Sequence, residues 1–148
     1  MTPRAKLVLD ASVVVKLYVP EAGDEAAAAL LADSPLCLAP DLVAPEVGNV
    51  VWKKVQRGEL SPDEAREIVE AFATACPVEL RPSLAYQPAA LEIAQHYGRT
   101  VYDSLYLALA VAEDCPLIAA DRRFAVGLAG TELSPFVRLL GSASPAGD

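Results

Sequence analysis

Short, uninterrupted apolar runs alternate with helix-compatible segments along this chain, and this alternation constrains the fold more than any other feature. A strand buried on both faces of a parallel sheet has a continuously apolar sequence. Strands that alternate with helices form an α/β domain. The runs predicted as strands are residues 7–9, 36–39, 78–80, 117–120 and 136–140. The sequence therefore predicts one three-layer α/β domain at residues 1–140, with helices flanking a mostly parallel sheet of about five strands.

The segments between these runs have helical spacing or helical boundary signals. Ser61, Pro62 and Glu64 form the pattern of a capping box with proline at the first helical position. Gly58 and Gly98 are stop signals after apolar-periodic segments. The predicted helices are residues 11–18, 22–32, 41–57, 61–75, 88–97 and 103–113, with a short one at 122–128. The small and polar residues 141–148 are predicted to be a disordered tail.

Composition excludes several classes of protein. A net charge of −8 argues against a surface that is a basic footprint for nucleic acid throughout. Three cysteines and one histidine are too few for a disulfide framework or a Cys/His zinc site. No apolar run reaches the roughly 20 residues of a membrane span, and no signal peptide precedes the first strand. We therefore expect a cytoplasmic protein with reduced cysteines and no membrane association.

Four carboxylates lie where an α/β domain forms its ligand sites. Asp10 and Asp121 directly follow apolar strands, and such sites lie beyond the carboxyl ends of parallel strands. Either aspartate could instead be only a helix N-cap. Glu46 lies within the apolar stripe of its predicted helix, although it could instead lie at the surface edge of that helix. Asp103 shares a helix face with packed residues, although it could serve only as a first-turn charge.

Convergence of these four acids would require a cation, because like charges raise each other's pKa. Carboxylate oxygens favour Mg²⁺ or Mn²⁺. Such a site activates water and stabilises charge on a phosphodiester. The sequence contains no Gly-rich phosphate loop and no G-x-S-x-G motif, and the single histidine, His96, lacks a nearby nucleophile. We interpret His96 as structural.

Four segments in this order resemble the PIN-domain family, and within it the VapC-type toxins of toxin–antitoxin pairs. The segments are Val8-Leu9-Asp10-Ala11-Ser12, Ala44-Pro45-Glu46-Val47-Gly48-Asn49, Val101-Tyr102-Asp103-Ser104-Leu105-Tyr106 and Ala120-Asp121-Arg122-Arg123-Phe124. The resemblance implies a metal-dependent endoribonuclease with a central parallel sheet. It assigns Asp10, Glu46 and Asp103 as ligands of Mg²⁺ or Mn²⁺ and Asp121 as a fourth, more variable acid.

The resemblance also implies supporting residues and partners. Ser12 matches a hydroxyl residue that supports the first aspartate, and Asn49 matches an asparagine that often follows the helix glutamate. RNA is the implied substrate, a VapB-type antitoxin the implied inhibitor, and a homodimer the implied assembly. Residues 22–31 and 64–75 could provide those contacts, or could simply pack within the domain. For RNA phosphates, the basic candidates are Lys16, Arg99, Arg122 and Arg123.

Three other functions compete with this interpretation. A phosphohydrolase with an aspartyl nucleophile needs Asp-x-Asp after its strand, whereas Ser12 stands at the second position after Asp10. A phospho-receiver domain needs paired acids there and a late lysine, but the last lysine is Lys54. A non-enzymatic module that only binds Mg²⁺ or an antitoxin stays open.

Overall fold

Five parallel strands form the central sheet of the computed structural model, which describes residues 3–142. Within those residues the sheet order is β3-β2-β1-β4-β5, and every neighbouring pair is parallel. The strands are β1 (Lys6–Leu9), β2 (Leu36–Pro40), β3 (Glu79–Arg81), β4 (Leu117–Ala119) and β5 (Val137–Leu139). The predicted α/β architecture is confirmed. Gly141 and Ser142 are exposed, and the rest of the predicted tail, residues 143–148, lies outside the described residues.

The strand order places the end of β1 at the topological switch point. The chain runs outward from β1 through β2 to β3 and then crosses to the other side of β1 to form β4 and β5. Strands β1 and β4 pair with Leu9 opposite Ile118. Asp10, which follows β1, and Asp121, two residues beyond β4, therefore leave the sheet at the same edge, where open α/β sheets bind their ligands.

The helices match the predicted segments with shifted ends. They are α1 (Ala11–Val15), α2 (Asp24–Leu31), α3 (Val43–Gln56), α4 (Pro62–Thr74), α5 (Ser83–Tyr97) and α6 (Val101–Glu113). The predicted start of α5 at Pro88 is wrong, because Pro88 lies inside the helix. The proline removes one helical hydrogen bond, and the packing of α5 against α6 outweighs that loss. The segment predicted as a helix at 122–128 is a 3₁₀ turn over Arg122–Phe124.

Two helices that carry candidate acids are fixed by the core. Helix α6 is buried continuously from Ser104 to Ala110 and packs against β1, β2 and α5. Helix α3 buries Val43, Val47 and Val51, which form one stripe four residues apart, and it packs against α1. Burying side chains of this size stabilises a fold by roughly 1.5–3 kcal/mol each. Side chains that flank these buried stripes consequently have little positional freedom.

No helix within residues 3–142 combines the length and the apolar character needed to cross a lipid bilayer. The three cysteines, Cys37, Cys76 and Cys115, are all free.

Candidate active site

One cleft of about 230 Å³ at the switch point brings the four predicted acids together. Asp10 comes from the junction of β1 and α1, Glu46 from helix α3, Asp103 from helix α6, and Asp121 from the turn after β4. The other polar and charged residues that line this cleft are Ser12, Asn49, Lys53, Tyr106 and Arg123. Residues from four separate segments therefore share a single concave surface.

Asp10 is the most buried of the four acids, with 5% of its surface exposed. Its Oδ1 accepts a hydrogen bond from the Val13 backbone N–H at 3.0 Å, so it does cap α1. The Ser12 hydroxyl also donates to this carboxylate, at 2.9 Å from Oδ1 and 3.0 Å from Oδ2. Burial is the main reason that the pKa of Asp10 is nevertheless raised to about 6, and the neighbouring Glu46 and Asp103 carboxylates contribute less to that rise. The cap and the cleft thus use the same side chain.

Glu46 is held by a residue that the sequence analysis treated only as packing. The Tyr106 hydroxyl donates a hydrogen bond to Glu46 Oε1 at 2.5 Å. Burial raises the pKa of Glu46; the Tyr106 hydrogen bond and the Arg123 charge lower it, and the Asp103 charge raises it. The available signal was the position of Tyr106, three residues after Asp103 and so on the same face of α6.

The other two acids lie at the starts of short helical elements. Asp103 occupies the first turn of α6, where its backbone N–H donates to Thr100 Oγ1 at 3.1 Å. Asp121 accepts a hydrogen bond from the Arg123 backbone N–H at 2.8 Å and caps the 3₁₀ turn. Its Oδ2 also lies 3.6 Å from Arg123 Nε, and about half of its side chain is exposed. Both acids border the cleft from positions that elementary capping rules favour.

The predicted basic residues divide into two groups. Arg123 lines the cleft, and Arg122 beside it is exposed. The Lys16 ammonium instead lies 3.2 Å from Glu21 and donates to the Ala22 carbonyl at 2.7 Å. The Arg99 guanidinium donates to the backbone carbonyls of residues 123 and 126, which holds the turn that follows Asp121. Lys16 and Arg99 are therefore engaged within the protein, away from the cleft lining.

A second basic residue of the cleft, Lys53, was missed by the sequence analysis. It lies on α3 seven residues after Glu46 and four after Asn49, and all three line the cleft. Helical spacing of three to four residues places these side chains on one face. That spacing was the signal that could have found Lys53.

Comparison with known proteins identifies the family. The PIN domain model matches residues 7–126, which include all four acids of the cleft. The chain belongs to the PIN-domain family. A relative, ribonuclease VapC3 of Pyrobaculum aerophilum, is 38% identical over 123 residues, which cover 81% of this chain and 92% of the relative.

Solved structures share the PIN-domain fold at lower identity. A crystal structure of a Pyrobaculum aerophilum protein superposes with a TM-score of 0.63 at 19% identity, covering 93% of this chain and 92% of that one. The VapBC2 complex of Rickettsia felis, bound to a DNA fragment from its promoter, gives a TM-score of 0.60 at 13% identity. That match covers 90% of this chain and 98% of the other. At these identities the likeness concerns the fold alone.

The donor atoms of the four carboxylates in this PIN domain are of the kind that binds a hydrated divalent cation. These donors are all hard oxygens, and a positive charge would favour the ionised form of Asp10, whose pKa is raised by burial and to a smaller extent by the Glu46 and Asp103 charges. Within residues 3–142, however, no three His, Cys, Asp or Glu side chains are placed so that they could hold one ion together. Mg²⁺ commonly retains several waters and takes only one or two carboxylates directly. The cleft therefore fits a largely hydrated ion.

Proposed function

We propose that this chain is an Mg²⁺- or Mn²⁺-dependent endoribonuclease, the toxin of a type II toxin–antitoxin pair. The observation that supports the proposal is the convergence of Asp10, Glu46, Asp103 and Asp121 in one cleft. The 38% identity to a relative named ribonuclease VapC3 favours RNA as the substrate. Ser12, the serine of the described lining, donates its hydroxyl to the Asp10 carboxylate, and no cysteine is among the described lining residues, so the site favours hydrolysis by water.

Asp10, Glu46 and Asp103 would hold a hydrated cation, one or two of them directly and the rest through its waters, with Asp121 as a fourth acid at the exposed rim. When bound, the cation would lower the pKa of a water and stabilise charge on the phosphodiester. Ser12 and the Val13 N–H fix the orientation of Asp10, because each donates a hydrogen bond to its carboxylate. Arg123 lies beside Asp121 and offsets part of the negative charge at the cleft.

The RNA backbone would contact the two basic residues that line the cleft. Lys53 approaches from α3 and Arg123 from the turn after β4, so the acids lie among basic groups of two different elements. Arginine and lysine contacts to phosphate position a nucleic acid without reading its sequence. Among residues 3–142 only these two basic side chains line the cleft, and the net charge of the chain is −8. We therefore expect weak non-specific affinity for RNA.

A VapB-type antitoxin would hold the enzyme inactive; the VapC name of the 38%-identical relative and the shared fold of the VapBC2 complex support this proposal. A shallow groove of about 630 Å³ between α3 and α4 could accept part of it. Trp52 lies in this groove with 56% of its surface exposed, and Val69 of α4 is also exposed. Exposed apolar side chains that lie together in one groove favour a protein contact, and tryptophan is enriched at such contacts. The proposal also includes that this chain forms a homodimer and acts in the cytoplasm.

Sequencing of RNA ends after induced expression tests the proposed activity in cells. We expect new, discrete 5′ ends to accumulate with the wild-type chain and to be absent with Asp103→Asn. Co-expression of the cognate antitoxin should suppress them. Equal patterns for the two proteins would refute the proposed activity and favour the non-enzymatic alternative, a module that only binds Mg²⁺ or an antitoxin.

A further inference from the structure

Tyr106 is a fully packed side chain whose polar atom is directed at an acid of the cleft. Only 2% of Tyr106 is exposed, yet its hydroxyl donates to Glu46 Oε1 at 2.5 Å. The ring contacts Phe124 edge-to-face, with centroids 6.3 Å apart and an interplanar angle of 84°. A buried ring in such packing has few alternative orientations, so the hydroxyl position is defined by the core.

The same side chain connects three of the elements that carry acids. Tyr106 lies one turn after Asp103 on α6, its hydroxyl contacts Glu46 on α3, and its ring contacts Phe124, three residues after Asp121. Helices α4 and α5 separate α3 from α6 along the chain, and Glu46 and Tyr106 are 60 positions apart. A substitution at Tyr106 would therefore affect the positions of the acids through its contacts with Glu46 and Phe124, while every acid keeps its own side chain.

We propose that Tyr106 is a positioning residue that fixes the Glu46 carboxylate for the cation. The hydrogen bond to Oε1 restrains the rotation of the carboxylate, so Glu46 would be presented to the cation in one orientation. Hydrogen-bond partners of metal-ligating carboxylates hold the ligand in place and affect metal affinity strongly. This inference rests on the proposed metal-dependent function.

Isothermal titration of Mn²⁺ into Tyr106→Phe tests the inference without any catalytic step. The substitution keeps the ring and removes only the hydroxyl. Tyr102→Phe is the matched control, because Tyr102 lies on the same helix and 63% of its surface is exposed. We expect Tyr106→Phe to weaken Mn²⁺ binding by about tenfold or more, the usual effect of losing such a partner, and Tyr102→Phe to bind as the wild type does.

A double-mutant cycle with Glu46→Ala shows whether Tyr106 acts through Glu46. In the Glu46→Ala background, Tyr106→Phe should cause no further weakening, since the residue that it positions is gone. Equal weakening in both backgrounds would overturn the inference, and so would identical Mn²⁺ affinity of Tyr106→Phe and Tyr102→Phe. Wild-type protein that binds no Mn²⁺ would instead overturn the proposed function, and the inference with it.

Circular dichroism and thermal melting in EDTA establish that each variant is folded before titration. If Tyr106→Phe does not fold, Phe124→Leu provides a second route, because it retains the hydroxyl but removes the aromatic contact that orients the ring. We expect Phe124→Leu to weaken Mn²⁺ binding in the same direction and by less. Unchanged binding in a folded Phe124→Leu protein would then overturn the inference.

Discussion

Replacing Asp10 by asparagine should make the metal-free protein more stable at neutral pH while abolishing its response to metal. The carboxylate is almost fully buried, and burial raises its pKa from 3.8 to about 6. The native state therefore binds a proton at Asp10 more tightly than the unfolded chain does. Ionised Asp10 destabilises the fold, and that penalty is complete above pH 6 and absent below pH 3.8.

The size of the penalty follows from the pKa values. At about 1.4 kcal/mol per pKa unit, the rise from 3.8 to about 6 corresponds to about 3 kcal/mol. Asparagine has no charge to bury, and its side-chain oxygen can still accept from the Val13 N–H and the Ser12 hydroxyl. We expect the free energy of unfolding of Asp10→Asn to gain about 3 kcal/mol relative to the wild type between low and neutral pH.

Thermal melts in EDTA across this pH range measure the effect. For a chain of this size, the gain corresponds to a melting temperature that rises by roughly 6–12 °C relative to the wild type. Because the acids other than Asp10 are common to both proteins, their titration largely cancels in the difference. Added Mg²⁺ should raise the melting temperature of the wild type and leave that of Asp10→Asn unchanged.

Two results would refute this reasoning. A constant difference between the proteins from pH 4 to pH 8 would show that ionised Asp10 carries no burial penalty. Stabilisation of Asp10→Asn by Mg²⁺ as large as that of the wild type would show that Asp10 is not a ligand.

Three further predictions concern the cleft, the core and a helix cap. Lys53→Ala should raise the KM for RNA several-fold with little change in kcat. Arg57→Ala, at the exposed end of α3, should change neither KM nor kcat, and equal effects of the two substitutions would argue against contact between Lys53 and RNA. Leu109→Ala should lower the free energy of unfolding in urea by about 2–5 kcal/mol, and a loss below about 1 kcal/mol would contradict the fully buried packing of α6. Ser61→Ala should cost about 1 kcal/mol in the same assay through loss of the capping box of α4, and an unchanged urea midpoint would argue against that box.

Much of this fold could be predicted because its signals are local. Buried parallel strands have apolar sequences, and their order along the chain alternates with helices. Asp10 and Asp121 could be placed near each other because strand ends of a parallel sheet share an edge. The capping box at Ser61 could also be predicted from the sequence, since both of its hydrogen bonds join residues three positions apart.

Contacts between distant segments could not be predicted in the same way. The hydrogen bond from Tyr106 to Glu46 depends on how α3 approaches α6, and no spacing in the sequence encodes it. The sequence predicted that Lys16 could contact phosphate, because it does not show that the fold pairs Lys16 with Glu21. Helix α5 begins earlier than Pro88 predicts because its packing against α6 outweighs one missing hydrogen bond.

Cleavage of an end-labelled RNA by purified protein tests the central claim most directly. Wild type and Asp103→Asn, purified identically to exclude a contaminating nuclease, would be assayed with Mg²⁺ and with EDTA. We predict cleavage by the wild type in Mg²⁺, none in EDTA, and none by Asp103→Asn in either buffer. Undiminished cleavage by Asp103→Asn, or cleavage by the wild type that persists in EDTA, would contradict a metal-dependent nuclease built on these four acids.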